Sequence, residues 1–296
     1  MQRLLYLLIF PVLWIISLFP MRMLYITSDL LFLLLYYIVG YRKKTVRENL
    51  NLVFPEKSKA EKKSIEKKFY HHLCDMIVEA IKSLSISESE LSKRFVPTNI
   101  EEVHAVEAQN KSIILMLAHY GSWEWIFVLQ KYVGYKTHAI YKRLRNKYFD
   151  ALIKRSRAKY KSYLITTKEA IPTLMRSKAK GELTLNGFVS DQSPKVTNIY
   201  HWNEFMNIKV PVFTGAELMA KRLDMAVVFC AVSRVKRGYY AATFKTITLN
   251  PKEYENYEIT DIFLKLVEAQ IREAPEYYLW THKRWKHRDK VPEDIK

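Results

Sequence analysis

The chain has 296 residues, 49% of them hydrophobic, with 48 Lys and Arg against 30 Asp and Glu, a formal net charge of +18. That apolar content excludes disorder and suffices for a sizeable core in one large or two modest domains. The charge calls for an anionic partner such as nucleic acid, acidic lipid or an acidic carrier protein. Two cysteines, Cys74 and Cys230, lack CxxC spacing, which excludes a disulfide framework and a cysteine zinc site and fits a reducing, cytoplasm-facing body.

The first element is an unbroken apolar run from Leu4 to Phe19 containing Pro11, followed by a second from Met23 to Val39 interrupted only by Thr27, Ser28 and Asp29. Each falls short of the ~20 residues that span a bilayer upright. We expect one tilted or kinked span, in the first run, and an interfacial segment in the second. No small-x-small cleavage site follows Phe19, which argues against a cleaved signal. Arg42, Lys43, Lys44 and Arg47 come next and favour the cytoplasmic side of an anionic leaflet.

Residues 45–95 are dense in Lys and Glu. Apolar residues at helical spacing (Phe69, Leu73, Met76, Ile77, Ala80, Ile81 and Leu84) predict helices with a core-facing stripe. Val96-Pro97 breaks this pattern, and an α/β region begins near residue 100. Strands are predicted at Ser112 to Leu117, Lys136 to Tyr141, Leu183 to Val189, Met225 to Val232 and Tyr239 to Ile247. Helices are predicted near 122–132, 146–161, 168–179, 214–222 and 260–273, the last capped by Thr260. This alternation implies the α/β class, a mixed sheet flanked by helices whose functional loops gather at the carboxyl ends of strands. With only 7 glycines there is no Gly-rich phosphate loop, so nucleotide binding is not expected.

The loop after the first strong strand reads Leu117-Ala118-His119-Tyr120-Gly121-Ser122-Trp123-Glu124-Trp125. On one continuous helix, residues five apart diverge by about 140° at 100° per residue. A turn at Gly121 instead lets Glu124 fold back toward His119. A carboxylate on one ring nitrogen fixes the tautomer and leaves the other nitrogen free to take a proton from an alcohol. This is the logic of the serine proteases with a substrate hydroxyl in place of the enzyme serine. Spacing alone favours a structural histidine. The strand-to-helix junction, the flanking tryptophans, the basic charge and the apolar N-terminus favour the functional reading.

In these residues the chain resembles the lysophospholipid acyltransferase superfamily, specifically the bacterial late acyltransferases of lipid A biosynthesis. The family's His-x4-acidic motif falls on His119 and Glu124. Its tyrosine-arginine element with downstream Asn and Asp is echoed by Tyr141-Lys142-Arg143, Asn146 and Asp150, and its Asp-Gln element by Asp191-Gln192. The closing motif matches Pro275 through Arg288, including Tyr277-Tyr278-Leu279-Trp280 and His282-Lys283-Arg284-Trp285, and Asn49-Leu50 and Phe54-Pro55 match the early region. Lys142 departs from the family's arginine, and a point charge does not reproduce a planar fork. The family glycine downstream of its arginine is absent after Arg157, where Ala158-Lys159-Tyr160 follows.

The resemblance implies a glycerol-3-phosphate acyltransferase-like fold with an N-terminal membrane helix, divided as anchor and interfacial segment (1–44), helical region packing on the catalytic domain (45–99) and α/β acyltransferase domain (100–296). It implies catalysis by His119 and Glu124, with Tyr141, Lys142, Arg143, Asn146, Asp150, Arg157, Asp191, Gln192 and Arg284 as substrate-binding residues. The donor it implies is a thioester on acyl carrier protein, and the acceptor a hydroxyl of a lipid A precursor at the cytoplasmic face of the inner membrane. No cofactor is expected, no metal since HExxH-like spacing is lacking, and no nucleic acid. Other readings are the same chemistry on a lysophospholipid, aminolipid or other glycolipid, and a noncatalytic basic protein of membrane surfaces or nucleic acid. Arg155, Arg157, Lys159 and Lys161 are the cation run that suits phosphate or acidic-protein contacts.

Overall fold

The computed structural model describes residues 1–293. The two apolar runs form helix α1 (Gln2–Leu18) and helix α2 (Met21–Leu33), the latter prolonged by a π-helical segment over Leu34–Val39 and stopped by Gly40 in the left-handed region. Pro20 lies between them at the N-cap of α2. The helix long and apolar enough to cross a membrane is the second run, Met21–Val39, rather than the first, which is shorter. Leu24, Ser28, Phe32 and Tyr36, four residues apart, are buried on one face, while Ile26, Leu30, Leu33 and Ile38 remain exposed on the other.

Helix α3 (Lys43–Val53) leads to α4 (Lys59–Lys82), whose start is fixed by a capping box between Ser58 and Glu61, and then to α5 (Glu88–Arg94). From there the chain alternates: β1 (Phe95–Pro97), α6 (Glu101–Glu107), β2 (Ile113–Leu117), a 3-10 segment (Trp123–Lys131), β3 (Lys136–Tyr141), α7 (Lys147–Ala158), β4 (Tyr163–Thr166), α8 (Ala170–Ala179) and β5 (Thr184–Val189). A two-stranded hairpin of β6 (Trp202–Phe205) and β7 (Ile208–Pro211) follows, then α9 (Gly215–Leu223), β8 (Ala226–Lys236), β9 (Tyr239–Thr248) and α10 (Glu258–Glu273).

Seven strands form one sheet in the order β1-β9-β8-β2-β5-β3-β4, parallel at every pair except β8 with β9. The protein is therefore a mixed-sheet α/β fold. Central strand β2 is buried throughout: Ile114 and Met116 point into one apolar cluster, and Ile113, Leu115 and Leu117 into the other. Such a run, apolar on both faces, is what a strand covered by helices on both sides requires.

The differences from expectation are local. Residues 123–131 form a 3-10 segment and not an α-helix. Four short strands, β1, β4, β6 and β7, carry too few residues for periodicity to reveal. Thr260 does not cap α10: it lies inside the helix, and its hydroxyl donates to Glu217 at 2.7 Å.

Helix α4 carries a buried polar face. Asp75 accepts from Ser28 of α2 (2.7 Å) and from Arg234 (3.1 Å) and Arg237 (2.7 Å) of the β8–β9 hairpin. Arg237 also reaches Asp29 of α2 at 2.6 Å. One turn further on, burial and then the Asp75 charge push Glu79 up to about 7, against the hydroxyls bonded to it. Between its ordinary value of 4.5 and about 7 the folded chain holds a proton that the unfolded chain lacks. Stability therefore falls as pH rises through that window. Thermal midpoints of wild type and Glu79→Gln from pH 5 to 8 check this, the variant being expected to lose that part of the slope.

Candidate active site

Strands β2 and β5 run parallel with Leu117 beside Val189. His119 and Asp191 each lie two residues beyond those partners, at the carboxyl edge of the sheet, so the register itself brings them together. The Asp191 Oδ1 atom accepts both the ring Nδ1–H of His119 (2.6 Å) and its backbone N–H (3.0 Å). A carboxylate only accepts, so this contact places the ring proton on Nδ1 and leaves Nε2 as the basic nitrogen. The His119 side chain is 20% exposed and that of Asp191 1%. Burial acts to raise the Asp191 carboxyl, but the His119 charge and the two N–H donors outweigh it and hold the group below its ordinary value.

The partner expected for His119 is thus corrected. Among the described residues no hydrogen bond or ion pair joins Glu124 to His119; Glu124 instead pairs with Arg157 of α7. The 3-10 geometry after Gly121 carries Glu124 toward α7, whereas Asp191 is delivered by the neighbouring strand. Trp123, between the two charged pairs, packs edge-on against the His119 ring with centroids 5.2 Å apart.

The closing segment frames this loop from behind. Tyr120 and Tyr278 form an antiparallel bridge, Gly121 N–H donates to Tyr277 O (3.0 Å) and Leu279 N–H donates to His119 O (3.1 Å). Gly121 has φ +57°, and a β-carbon there meets Val232 Cγ1 at 3.0 Å. Gly121→Ala should therefore cost about 1–3 kcal/mol of stability and displace the loop. A lower thermal midpoint together with reduced turnover is the expected result.

A cleft of about 700 Å³ opens beside the loop. Leu35, Leu73, Met76, Ile77, Ala80, Leu84, Phe127, Ile153 and Leu279 supply an apolar wall, and Ser122, Trp123, Glu124 and Arg157 a polar end. Part of the stripe read as core, namely Leu73, Met76, Ile77 and Ala80 of α4 and Leu84 just beyond it, also lines the cleft, Leu73 and Met76 packing on the core cluster as well. Its size and composition are those of a small-molecule site.

The remaining expected substrate-binding residues separate into groups. Asp150 accepts from Tyr141 Oη (3.0 Å) and Leu144 N–H (2.9 Å), and Asn146 caps α7 through Tyr148 N–H (3.0 Å). Tyr141, Asn146 and Asp150 thus shape the β3–α7 loop and are not among the residues that line the cleft. Lys142 and Arg143 are exposed on that loop, and Gln192 is half-buried beside Asp191. Arg284 is fully buried, donates to Pro211 O (3.2 Å) and lies over the Phe205 ring at 4.8 Å. It is a buried cation packed between the closing segment and the β6–β7 hairpin. Lys159, from the expected cation run, donates to Ser83 O (2.8 Å) and Ile86 O (3.0 Å) and closes the C-terminal end of α4.

Neither cysteine offers a thiolate: both are buried, and burial pushes Cys74 up to about 12 and Cys230 higher still. A histidine base backed by a buried carboxylate, beside an apolar cleft with a charged end, is the equipment for transferring a group onto the hydroxyl of an amphiphile. The bacterial lipid A biosynthesis acyltransferase family matches the chain over residues 1–287, and the protein belongs to that family. It is similar to the lipid A biosynthesis lauroyltransferase of Escherichia coli K12, 24% identical over 292 residues covering 94% of this chain and 90% of the relative. The lipid A biosynthesis palmitoleoyltransferase of the same organism is 22% identical over 251 residues, covering 83% and 79%. A lipid A biosynthesis acyltransferase of Shigella flexneri shows the same identity and coverage. The protein is accordingly an acyltransferase of lipid A biosynthesis.

Proposed function

We propose that the enzyme moves a fatty acyl chain from a thioester, carried on acyl carrier protein, to a hydroxyl of a lipid A precursor at the cytoplasmic face of the inner membrane. The observation that carries the chemistry is the His119 ring, with Nδ1 committed to Asp191 and Nε2 left basic, on the loop whose Ser122, Trp123 and Glu124 line the apolar cleft. His119 Nε2 takes the acceptor's hydroxyl proton as that oxygen attacks the thioester carbonyl. Asp191, remaining ionised, stabilises the imidazolium that forms. Collapse of the tetrahedral intermediate expels the donor thiolate, which takes the proton back from the ring, leaving an ester and a free thiol. Transfer is direct, since neither buried cysteine is an activated nucleophile.

The Glu124–Arg157 pair stands at the polar end of the cleft, where Glu124 aims the guanidinium at the reacting or phosphate oxygens. The acyl chain lies along the apolar wall. The outward rows of α1 and α2 suit lipid contact, with Arg42, Lys43 and Lys44 following them toward an anionic leaflet. A basic body of net charge +18 also suits an acidic donor protein.

Purified enzyme incubated with acyl carrier protein thioesters and a panel of lipid acceptors, read by mass, tests this reading. One acyl mass added to a lipid A precursor is expected. Transfer to a lysophospholipid or aminolipid alone would replace the acceptor, and no transfer at all would leave the proposed chemistry without support. The chain's place has its own check. Each buried methylene contributes about 0.8 kcal/mol, so a side chain that displaces two of them shifts donor preference about tenfold. Ala80→Phe, on the cleft wall, should move the preferred donor to a shorter chain in a competition among thioesters of different length.

A further inference from the structure

We infer that Glu79 of α4 is a positioning residue, holding in place the loop that carries His119. The inference rests on the reading of His119 as the base. Glu79 is 1% exposed, and three hydroxyls from three separate elements converge on its carboxylate. Tyr25 of α2 donates to Oε1 at 2.9 Å, Ser122 of the loop to Oε2 at 3.0 Å, and Tyr240 of β9 to both oxygens at 3.0 Å.

One turn along α4, Ser83 accepts from the indole N–H of Trp125 at 3.0 Å. The same helix face therefore grips the loop on either side of Trp123 and Glu124. Trp123 is the residue packed against the His119 ring, and Glu124 the residue holding Arg157. A neutral core residue at position 79 has no means of accepting from three hydroxyls, and an amide has a single acceptor oxygen.

The charge is unusual in its setting. Among the described residues no cation bonds Glu79, and the adjacent Asp75 spends its oxygens on Ser28, Arg234 and Arg237. Tyr25, Tyr240 and Ser122 face Glu79 from the other elements, with Arg94 acting on Tyr25 and Arg234 on Tyr240. Burial raises the carboxyl toward neutrality, and a protonated Glu79 turns one acceptor oxygen into a donor and surrenders part of the grip. Keeping such a group at that cost makes sense where geometry is the return.

The test compares full-length wild type with Ser122→Ala, Glu79→Gln, the double variant and His119→Ala, in detergent at pH 8, recording kcat, KM for the donor and the thermal midpoint. A loop misplaced by a fraction of an ångström costs on the order of tenfold in kcat. Ser122→Ala and Glu79→Gln should each lose about that much, with little change in KM, and the double variant should be no worse than the poorer single one. Ser122→Ala removes one hydroxyl and decides the matter if Glu79→Gln fails to fold. Wild-type kcat in Ser122→Ala, or fully additive losses, overturns the positioning role. Near-wild-type activity in His119→Ala overturns the reading beneath it, so the two failures are distinguishable.

Discussion

Replacing His119 by alanine is expected to lower acyl transfer on the order of 10²–10⁴-fold, the range for a lost general base, with the fold retained. The side chain is 20% exposed, and its ring nitrogen has one described hydrogen bond, to Asp191. Removing it leaves the sheet core untouched. The backbone N–H of residue 119 still donates to Asp191, and the backbone carbonyl still receives Leu279 N–H. The loss should therefore fall on kcat, with donor binding in the cleft little changed. Steady-state kinetics with saturating donor, alongside a thermal midpoint within a few degrees of wild type, measure it.

Asp191→Asn is expected to be the second severe loss, on the order of 10³-fold. Both N–H groups of His119 converge on the same Asp191 oxygen. An amide oxygen placed there would keep accepting from them and retain the tautomer, but the charge that stabilises the imidazolium disappears. The variant should bind donor normally and turn over slowly. Because Asp191 is held below its ordinary value in the folded chain, its contribution to stability is present above the unfolded carboxyl's value and lost as pH falls through the folded one. The asparagine variant lacks that acid-side loss, so unfolding followed below pH 5 separates the two proteins independently of turnover.

Much of the fold was legible because long elements carry strong signals. The all-apolar run Ile113 to Leu117 announced a strand covered on both faces, and Ile262, Phe263, Leu266, Val267 and Ile271 announced α10 by their spacing. The short strands were hidden because three or four residues hold no period. The two apolar openings were evident, but which one reaches spanning length depended on the helix continuing through Ser28 and Asp29. That continuation rests on their partners Asp75 and Arg237, far away in sequence.

The site divided along the same line. His119 was visible from its place after a strand, and Asp191 from its place after another. Their pairing was not, because it follows from strand order: β5 lies beside β2 with Leu117 and Val189 in register. Two strands ending in a polar residue at the same offset are the signal that could have been read. Glu124 looked like the ring's partner because it was near in sequence, and the turn at Gly121 sends it to Arg157 instead. Arg157 was singled out from its run of cations by the family resemblance, since such a run by itself reads as a solvated face or a general anion contact. Glu79 lay within a helix whose apolar stripe drew the reading, and the three hydroxyls that define it come from residues 25, 122 and 240.

The assignment of Asp191, rather than Glu124, as the group acting through the His119 ring is tested most directly by adding Asp191→Asn and Glu124→Gln separately to His119→Ala and measuring residual acyl transfer. With the ring absent, Asp191→Asn should cost almost nothing further, because its effect passes through the imidazole, whereas Glu124→Gln should still reduce what remains by releasing Arg157. The reverse pattern, with Glu124→Gln silent and Asp191→Asn still costly, would contradict the account.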